Sequence, residues 1–194
     1  QETTPQFVQR LEQAGIGDYL PYAVSASSGS GYGNGLWSAQ PLQQPADAEF
    51  PSSASAMPAG TIRFDNGALP VRFVSVHTTS PTAQSWDLWR KSLTEMQQLT
   101  ARTGTQYVLM GDFNATYDHA VFRDLLGSRF QDAARASGHG LVFSWPADKP
   151  WLPAFSGIDH IVTERGVVVG QVSTMRIGGS DHRALLATLD FTRH

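Results

Sequence analysis

Residues 107–114 read Tyr-Val-Leu-Met-Gly-Asp-Phe-Asn. A short, mostly apolar run closed by turn-forming residues predicts a buried strand. Side chains alternate along a strand, so Asp112 and Asn114 fall on one face of its end and Phe113 on the other. A carboxylate beside a carboxamide there can hold a water and a phosphate oxygen together. The competing reading is an ordinary turn, since Gly111–Asp118 (GDFNATYD) is rich in turn formers. Working outward, Asp118 is placed to cap a helix carrying Val121, Phe122, Leu125 and Leu126. Upstream, Trp86, Trp89, Leu93 and Met96 recur at helical spacing, so 81–101 reads as an amphipathic helix with both tryptophans packing inward. Residues 61–77 (TIRFDNGALPVRFVSVH) alternate on either side of Asn66-Gly67 and predict a hairpin, with Val71, Phe73 and Val76 in the core. Three more strands are expected in the tail, in GIDHIVT, VVVGQVSTMRI and ALLATLDF. Strands interleaved with helices predict a layered α/β or α+β fold.

The chain has 194 residues, 41% of them hydrophobic and 16% charged, a globular composition suited to one domain over 1–194. Fourteen basic residues face 17 acidic ones, for a net charge of −3, which excludes a strongly cationic nucleic-acid binder. Cysteine is absent, which excludes disulfides, thiolate metal sites and cysteine nucleophiles. No apolar run reaches the ~18 residues of a membrane span, and the start has no signal-peptide pattern. The chain does not open with methionine, so Gln1 reads as a cut end. Thr4 caps and Pro5 opens a first helix carrying Phe7, Val8 and Leu11, with Gly15 at its end. Residues 25–35 and 43–60, rich in Gly, Ser, Pro and Ala, read as loops, with a short strand over 36–42 between them.

Four further positions stand out. Gly178-Gly179-Ser180-Asp181-His182 precedes the last strand, where glycines admit a ligand close to the backbone and an acid adjoins a proton carrier. A plain loop with a capping Asp is the bland alternative. Asp159 sits inside an apolar strand and needs a partner, whether catalytic or a structural salt bridge. His77 ends the strand 71–77, where a histidine is more often structural. Glu2 precedes the first helix, where a helix dipole alone favours an acid. His119, His139, His160 and His194 carry no assigned role.

Taken together, the order Gln1-Glu2, strand-ending His77, GDFN, Asp159 within IDHIV, and Ser180-Asp181-His182 resembles the endonuclease/exonuclease/phosphatase superfamily from Gln1 to about Leu189. The spacing from GDFN to SDH is specific. The texture looks like bacterial members that follow membrane-spanning segments. The resemblance implies a deoxyribonuclease-like sandwich of two β-sheets flanked by helices in four layers, with the site at one end. It implies Mg²⁺ or Mn²⁺, with Glu2 and Asp181 as metal residues. Asp112 then orients or deprotonates the attacking water, Asn114 holds that water and the scissile phosphate, and His77 contacts the phosphate or assists the leaving group. Asp159 orients His182, which stabilises charge on the phosphoryl oxygens. The implied activity is hydrolysis of phosphate esters by in-line attack of water. The substrate stays open between nucleic acid, lipid and small phosphate ester. Basic residues are scattered, so no surface for an extended duplex is expected. The family's first strand, with its asparagine, has no counterpart here, so the chain reads as lacking it. The parent protein is read as membrane-tethered with this part outside the cytoplasm. The alternative from another class is a binding or sensory domain that keeps the fold without turnover. Loops 25–35, 43–60 and 146–155 are the candidate specificity elements, the last presenting Trp151 and Phe155 to stack on a base or meet a lipid.

Overall fold

In the computed structural model, which describes residues 1–46, 49, 52–64 and 68–191, the alternating segments pair as their pattern requires. β4 (Ala59–Phe64) lies antiparallel to β5 (Leu69–His77), with Ala59 opposite Val74 and Phe64 opposite Leu69. The Asn66-Gly67 turn lies outside the described residues. From β5 the chain crosses through α3 (Trp86–Met96) and returns as β6 (Gln106–Asp112), parallel to β5. β8 (Asp159–Glu164) then pairs antiparallel with β6, and the short β7 (Phe130–Asp132) closes that edge. With β3 (Gln43–Ala46) on the far side, the six-stranded order is β3-β4-β5-β6-β8-β7.

Both faces of this sheet are buried, which is why β6 reads as an unbroken apolar run. On one face Val74, Val76, Leu109, Phe113 and Val162 pack against Trp89, Leu93 and Met96 of α3 and Phe122 and Leu125 of α4 (Ala120–Leu126). On the other, Val71, Val108 and Ile161, with Phe73 and Met110, meet the hairpin of β9 (Val168–Arg176) and β10 (Arg183–Asp190) through Val172, Leu185, Ala187 and Leu189. A second ribbon, β1 (Tyr22–Ala26) and β2 (Asn34–Ser38), is fixed to this side by buried polar bonds. The Asn34 side chain donates to Ser75 O at 2.8 Å, and Ser75 Oγ donates back to Asn34 Oδ1 at 2.6 Å. The result is an α/β sandwich whose second β-layer consists of two separate ribbons. Among the described residues no helix is long and apolar enough to cross a membrane.

Several local expectations are corrected. Stretches 25–35 and 43–60 are not purely loop, since they contribute parts of β1, β2 and β3. Their pairing comes from neighbours, which a Gly- and Ser-rich sequence does not advertise. The helix expected from residue 81 starts at Trp86, and its tail over Gln97–Ala101 tightens into a 3₁₀ turn. Trp86 is 45% exposed and only leans on the buried Trp89, with ring centroids 4.7 Å apart. Asp118 does not cap α4. His119 occupies that position, and its Nδ1 instead accepts from the Thr116 N–H at 2.9 Å. The first helix, α1 (Pro5–Gln13), is capped as expected, Thr4 accepting from the Phe7 N–H at 3.1 Å.

Candidate active site

The register of the central sheet assembles the site. His77 is the partner of Asp112 across β5 and β6, and Asp112 is the partner of Asp159 across β6 and β8. Three chemically capable side chains therefore stand in one row at one end of the sheet. Each is an even number of residues from the apolar positions that face the β9–β10 hairpin, so all three point to that side. His77 and Asp112 are buried, at 7% and 6% exposure, and Asp159 is half-buried.

His182 reaches the row from the opposite layer. It is the residue before β10, and its Nδ1 lies 2.8 Å from Asp159 Oδ2. Its backbone is braced from both sides: Ala147 N–H donates to Asp181 O at 2.7 Å and Arg183 N–H donates to Ser144 O at 2.9 Å. Burial disfavours the charged ring, but the hydrogen bond and charge of Asp159, with Asp112 and Asp181, outweigh it and push His182 up to about 9. His182 is thus an imidazolium at neutral pH, with Nε2 left for a ligand. His77 behaves oppositely. Burial above all pushes it down to about 4, so it is neutral, and its buried Nδ1 has no hydrogen-bond partner among the described residues.

Asp112 and Asn114 are locked together. The chain leaves β6 at Asp112 and turns through Asn114, whose φ of 48° is left-handed, a conformation asparagine adopts more readily than most side chains. Asn114 N–H donates to Asp112 Oδ1 at 2.7 Å, and Asn114 Nδ2 donates to Asp112 Oδ2 and to Thr78 O, both at 3.0 Å. Ser80 Oγ donates to Asn114 Oδ1 at 3.2 Å. Burial first, then the Asp159 carboxylate, push the Asp112 carboxyl up to about 7. That is the range a general base needs at neutral pH.

A cavity of 520 Å³ opens in front of this row. Glu2, His77, Asp112, Asp181 and His182 line it, with Phe7, Leu11, Trp37 and Ile177. Asp159 lines an adjoining 360 Å³ cleft between β2 and β10, and Asn114 stands behind Asp112, bonded to it. All seven singled-out residues, Glu2, His77, Asp112, Asn114, Asp159, Asp181 and His182, thus gather at one end of the sandwich. Glu2 has a φ of 55°, and Thr3 after it is stitched to the loop between β1 and β2 by Thr3 N–H donating to Gly33 O and Ser28 N–H donating to Thr3 O, both at 3.0 Å. A Cβ on Gly33 would meet Thr3 O at 1.8 Å, so only glycine fits there. The donors available to a cation are carboxylate oxygens, the type Mg²⁺ takes. Among the described residues no three His, Asp or Glu side chains are grouped to enclose an ion by themselves. An ion here would keep water and substrate oxygens in its shell, as Mg²⁺ ordinarily does.

One residue left without a role proves to be connected to the site. His160 points away from Asp159, as strand alternation requires. Its Nε2 lies 2.7 Å from Ala115 O and its Nδ1 2.7 Å from Asp132 Oδ2, between the rings of Phe113 and Phe122. It anchors the chain one residue beyond Asn114.

Residues 1–182 match the Endonuclease/Exonuclease/phosphatase family, and the chain belongs to it. Solved structures with the same fold include truncated TDP2 from Caenorhabditis elegans, 16% identical with a TM-score of 0.71 over 97% of this chain and 82% of that one. A mannosyl-6-phosphatase from Bacteroides thetaiotaomicron is 15% identical, with a TM-score of 0.67 over 95% of this chain and 82% of its own. A functionally unknown conserved protein from Enterococcus faecalis is 21% identical, with a TM-score of 0.71 over 98% and 83%. No curated protein matches the sequence.

Proposed function

We propose that the protein is a divalent-metal-dependent hydrolase of phosphate esters that activates water for in-line attack on phosphorus. The observation that carries this reading is the row His77–Asp112–Asp159, with His182 clasped to Asp159 over one cavity. Asp112, poised near neutrality, takes the proton of the attacking water, and Asn114 fixes its orientation through both carboxylate oxygens. Asp159 holds the His182 ring so that its charged face meets the phosphoryl oxygens, where negative charge grows in the transition state. His77, neutral, is suited to donate or accept a hydrogen bond at the phosphate or the leaving oxygen. Glu2 and Asp181 are the residues that would hold Mg²⁺ or Mn²⁺ at the rim. When bound, such an ion offsets phosphate charge and lowers the pKa of a bound water. Family membership and a fold shared with a named mannosyl-6-phosphatase support a phosphate-ester substrate.

The test is hydrolysis of bis(p-nitrophenyl) phosphate with Mg²⁺, with Mn²⁺ and with chelator. Turnover should require the ion. Asp112→Asn should lower kcat by about 10²–10⁴-fold, the usual contribution of a general base. His182→Ala should lower it to a similar degree with the far-UV spectrum unchanged. Turnover indifferent to both substitutions would reject the mechanism. No turnover with any ion would leave a fold used for binding.

A further inference from the structure

The walls of the 520 Å³ cavity differ in chemistry from its floor. The floor is His77, Asp112 and His182, with Glu2 and the exposed Asp181 at the rim. The walls include Phe7 and Leu11 from α1, Trp37 from β2 and Ile177 from the turn after β9. Phe7 is 46% exposed and Ile177 50%, although each is a large apolar side chain. Neither belongs to either hydrophobic core, and α1 has no buried residue at all. Phe7 and Leu11 of the apolar stripe of α1 therefore face the cavity. Single exposed apolar residues mean little, but four apolar side chains from three elements around one cavity form an apolar patch beside the polar groups of Glu2, Thr3 and Ser180.

Charge gives the second observation. Among the described residues, no lysine or arginine lines this cavity. Arg183 lines the adjoining cleft, and the group Lys149, Arg176 and Arg183 surrounds a different cavity of 240 Å³, where Arg176 is engaged in donating to Ala147 O at 2.6 Å. A nucleic-acid strand presents several phosphates in succession and is bound by a matching series of cations. Beyond His77, Asp112 and His182, the described lining residues offer no lysine or arginine to a second phosphate, and Phe7, Leu11, Trp37 and Ile177 make part of that lining apolar.

We infer that the site takes a phosphate ester with a single phosphate and an apolar alcohol group, seated against Phe7, Leu11, Trp37 and Ile177, rather than a nucleic-acid strand. The inference rests on the hydrolase reading above and names its substrate class. The apolar group is an alkyl chain or an aryl ring, and the experiment separates the two.

Four diesters that share p-nitrophenol as leaving group are compared below their micellar concentrations: the methyl, octyl and phenyl esters and the thymidine 5′ ester. Octyl or phenyl should exceed methyl in kcat/KM by at least about tenfold, the effect of a few methylenes in an apolar pocket. Octyl above phenyl assigns a lipid-like chain, and the reverse assigns an aryl ester. Phe7→Ser and Ile177→Ser should each pull the preferred-to-methyl ratio toward one, chiefly through KM. Equal rates for methyl, octyl and phenyl, or a preference for thymidine, would overturn the inference while leaving the hydrolase reading intact. If no ester turns over, the hydrolase reading fails on its own, and calorimetry with octylphosphonate, phenylphosphonate and methylphosphonate decides the inference. Tighter octyl or phenyl binding that Phe7→Ser abolishes sustains it, and equal binding ends it.

Discussion

Asp159 and His160 are neighbours that serve opposite faces of one strand. Asp159 holds His182 over the cavity, while His160 spans Asp132 and the Ala115 carbonyl on the helix side. A carbonyl only accepts, so His160 Nε2 carries a hydrogen, and the ring cannot flip without losing both contacts. Asp132 is 5% exposed and also accepts from the Arg135 N–H at 2.9 Å. His160→Leu strands that buried carboxylate and should cost about 3–5 kcal/mol in urea unfolding. Adding Asp132→Asn should recover about 1–3 kcal/mol of it, as coupled neighbours do. A double variant no more stable than the sum of its parts would show that the two side chains do not interact. The catalytic candidates were legible because an acid inside an apolar strand, or an Asp-His after paired glycines, is conspicuous in sequence. His160 was not, because its partner lies 28 residues earlier in a strand of three residues, too short to show any alternation.

At the scale of elements, α1 is held by its ends rather than by its sides. Thr4 satisfies the Phe7 N–H, Pro5 has no N–H that needs an acceptor, and Thr3 bonds to Gly33. Nothing of the helix is buried, so its cap is a large share of its stability. Thr4→Ala should weaken it by about 1 kcal/mol. Amide exchange should speed up across residues 7–13 and stay unchanged in β6, and equal acceleration in both would refute a local role. This helix, the β4–β5 hairpin and α3 were all readable, since caps, a two-residue period and a 3.6-residue period are local properties of the chain. β1 and β3 were not, and β2 only in part, as a strand over 36–42 instead of Asn34–Ser38. Their residues are held by partners such as Ser75 that lie 41 positions away from Asn34, and by close approaches at Gly33 that composition disguises as loop.

For the whole molecule, the charged groups of the site tie stability to pH. The Asp112 carboxyl is raised to about 7 and His182 to about 9, so each contributes stability that is complete below its unfolded value and lost as pH rises through its folded one. His77, lowered to about 4, works the other way and removes stability as pH falls from 6.5. Below neutrality Asp112 and His77 oppose each other. Between pH 7 and 9 His182 loses stability while the Gln1 amine, lowered from 8.0 by burial, gains it, so His182 is isolated there by comparison with a variant that cannot carry its charge. Its side chain is 26% exposed, so solvent screens the pair with Asp159, and a loss of about 1–2 kcal/mol is expected there. In a protein of this size each kcal/mol moves Tm by about 2–4 °C. Thermal unfolding in the presence of chelator should therefore show Tm falling between pH 7 and 9 by several degrees relative to His182→Gln, which cannot be charged. A parallel decline in both proteins would mean that the contact between His182 and Asp159 stores no free energy in the fold. The cation proposed to face the phosphate would then have to be held by something other than its carboxylate partner.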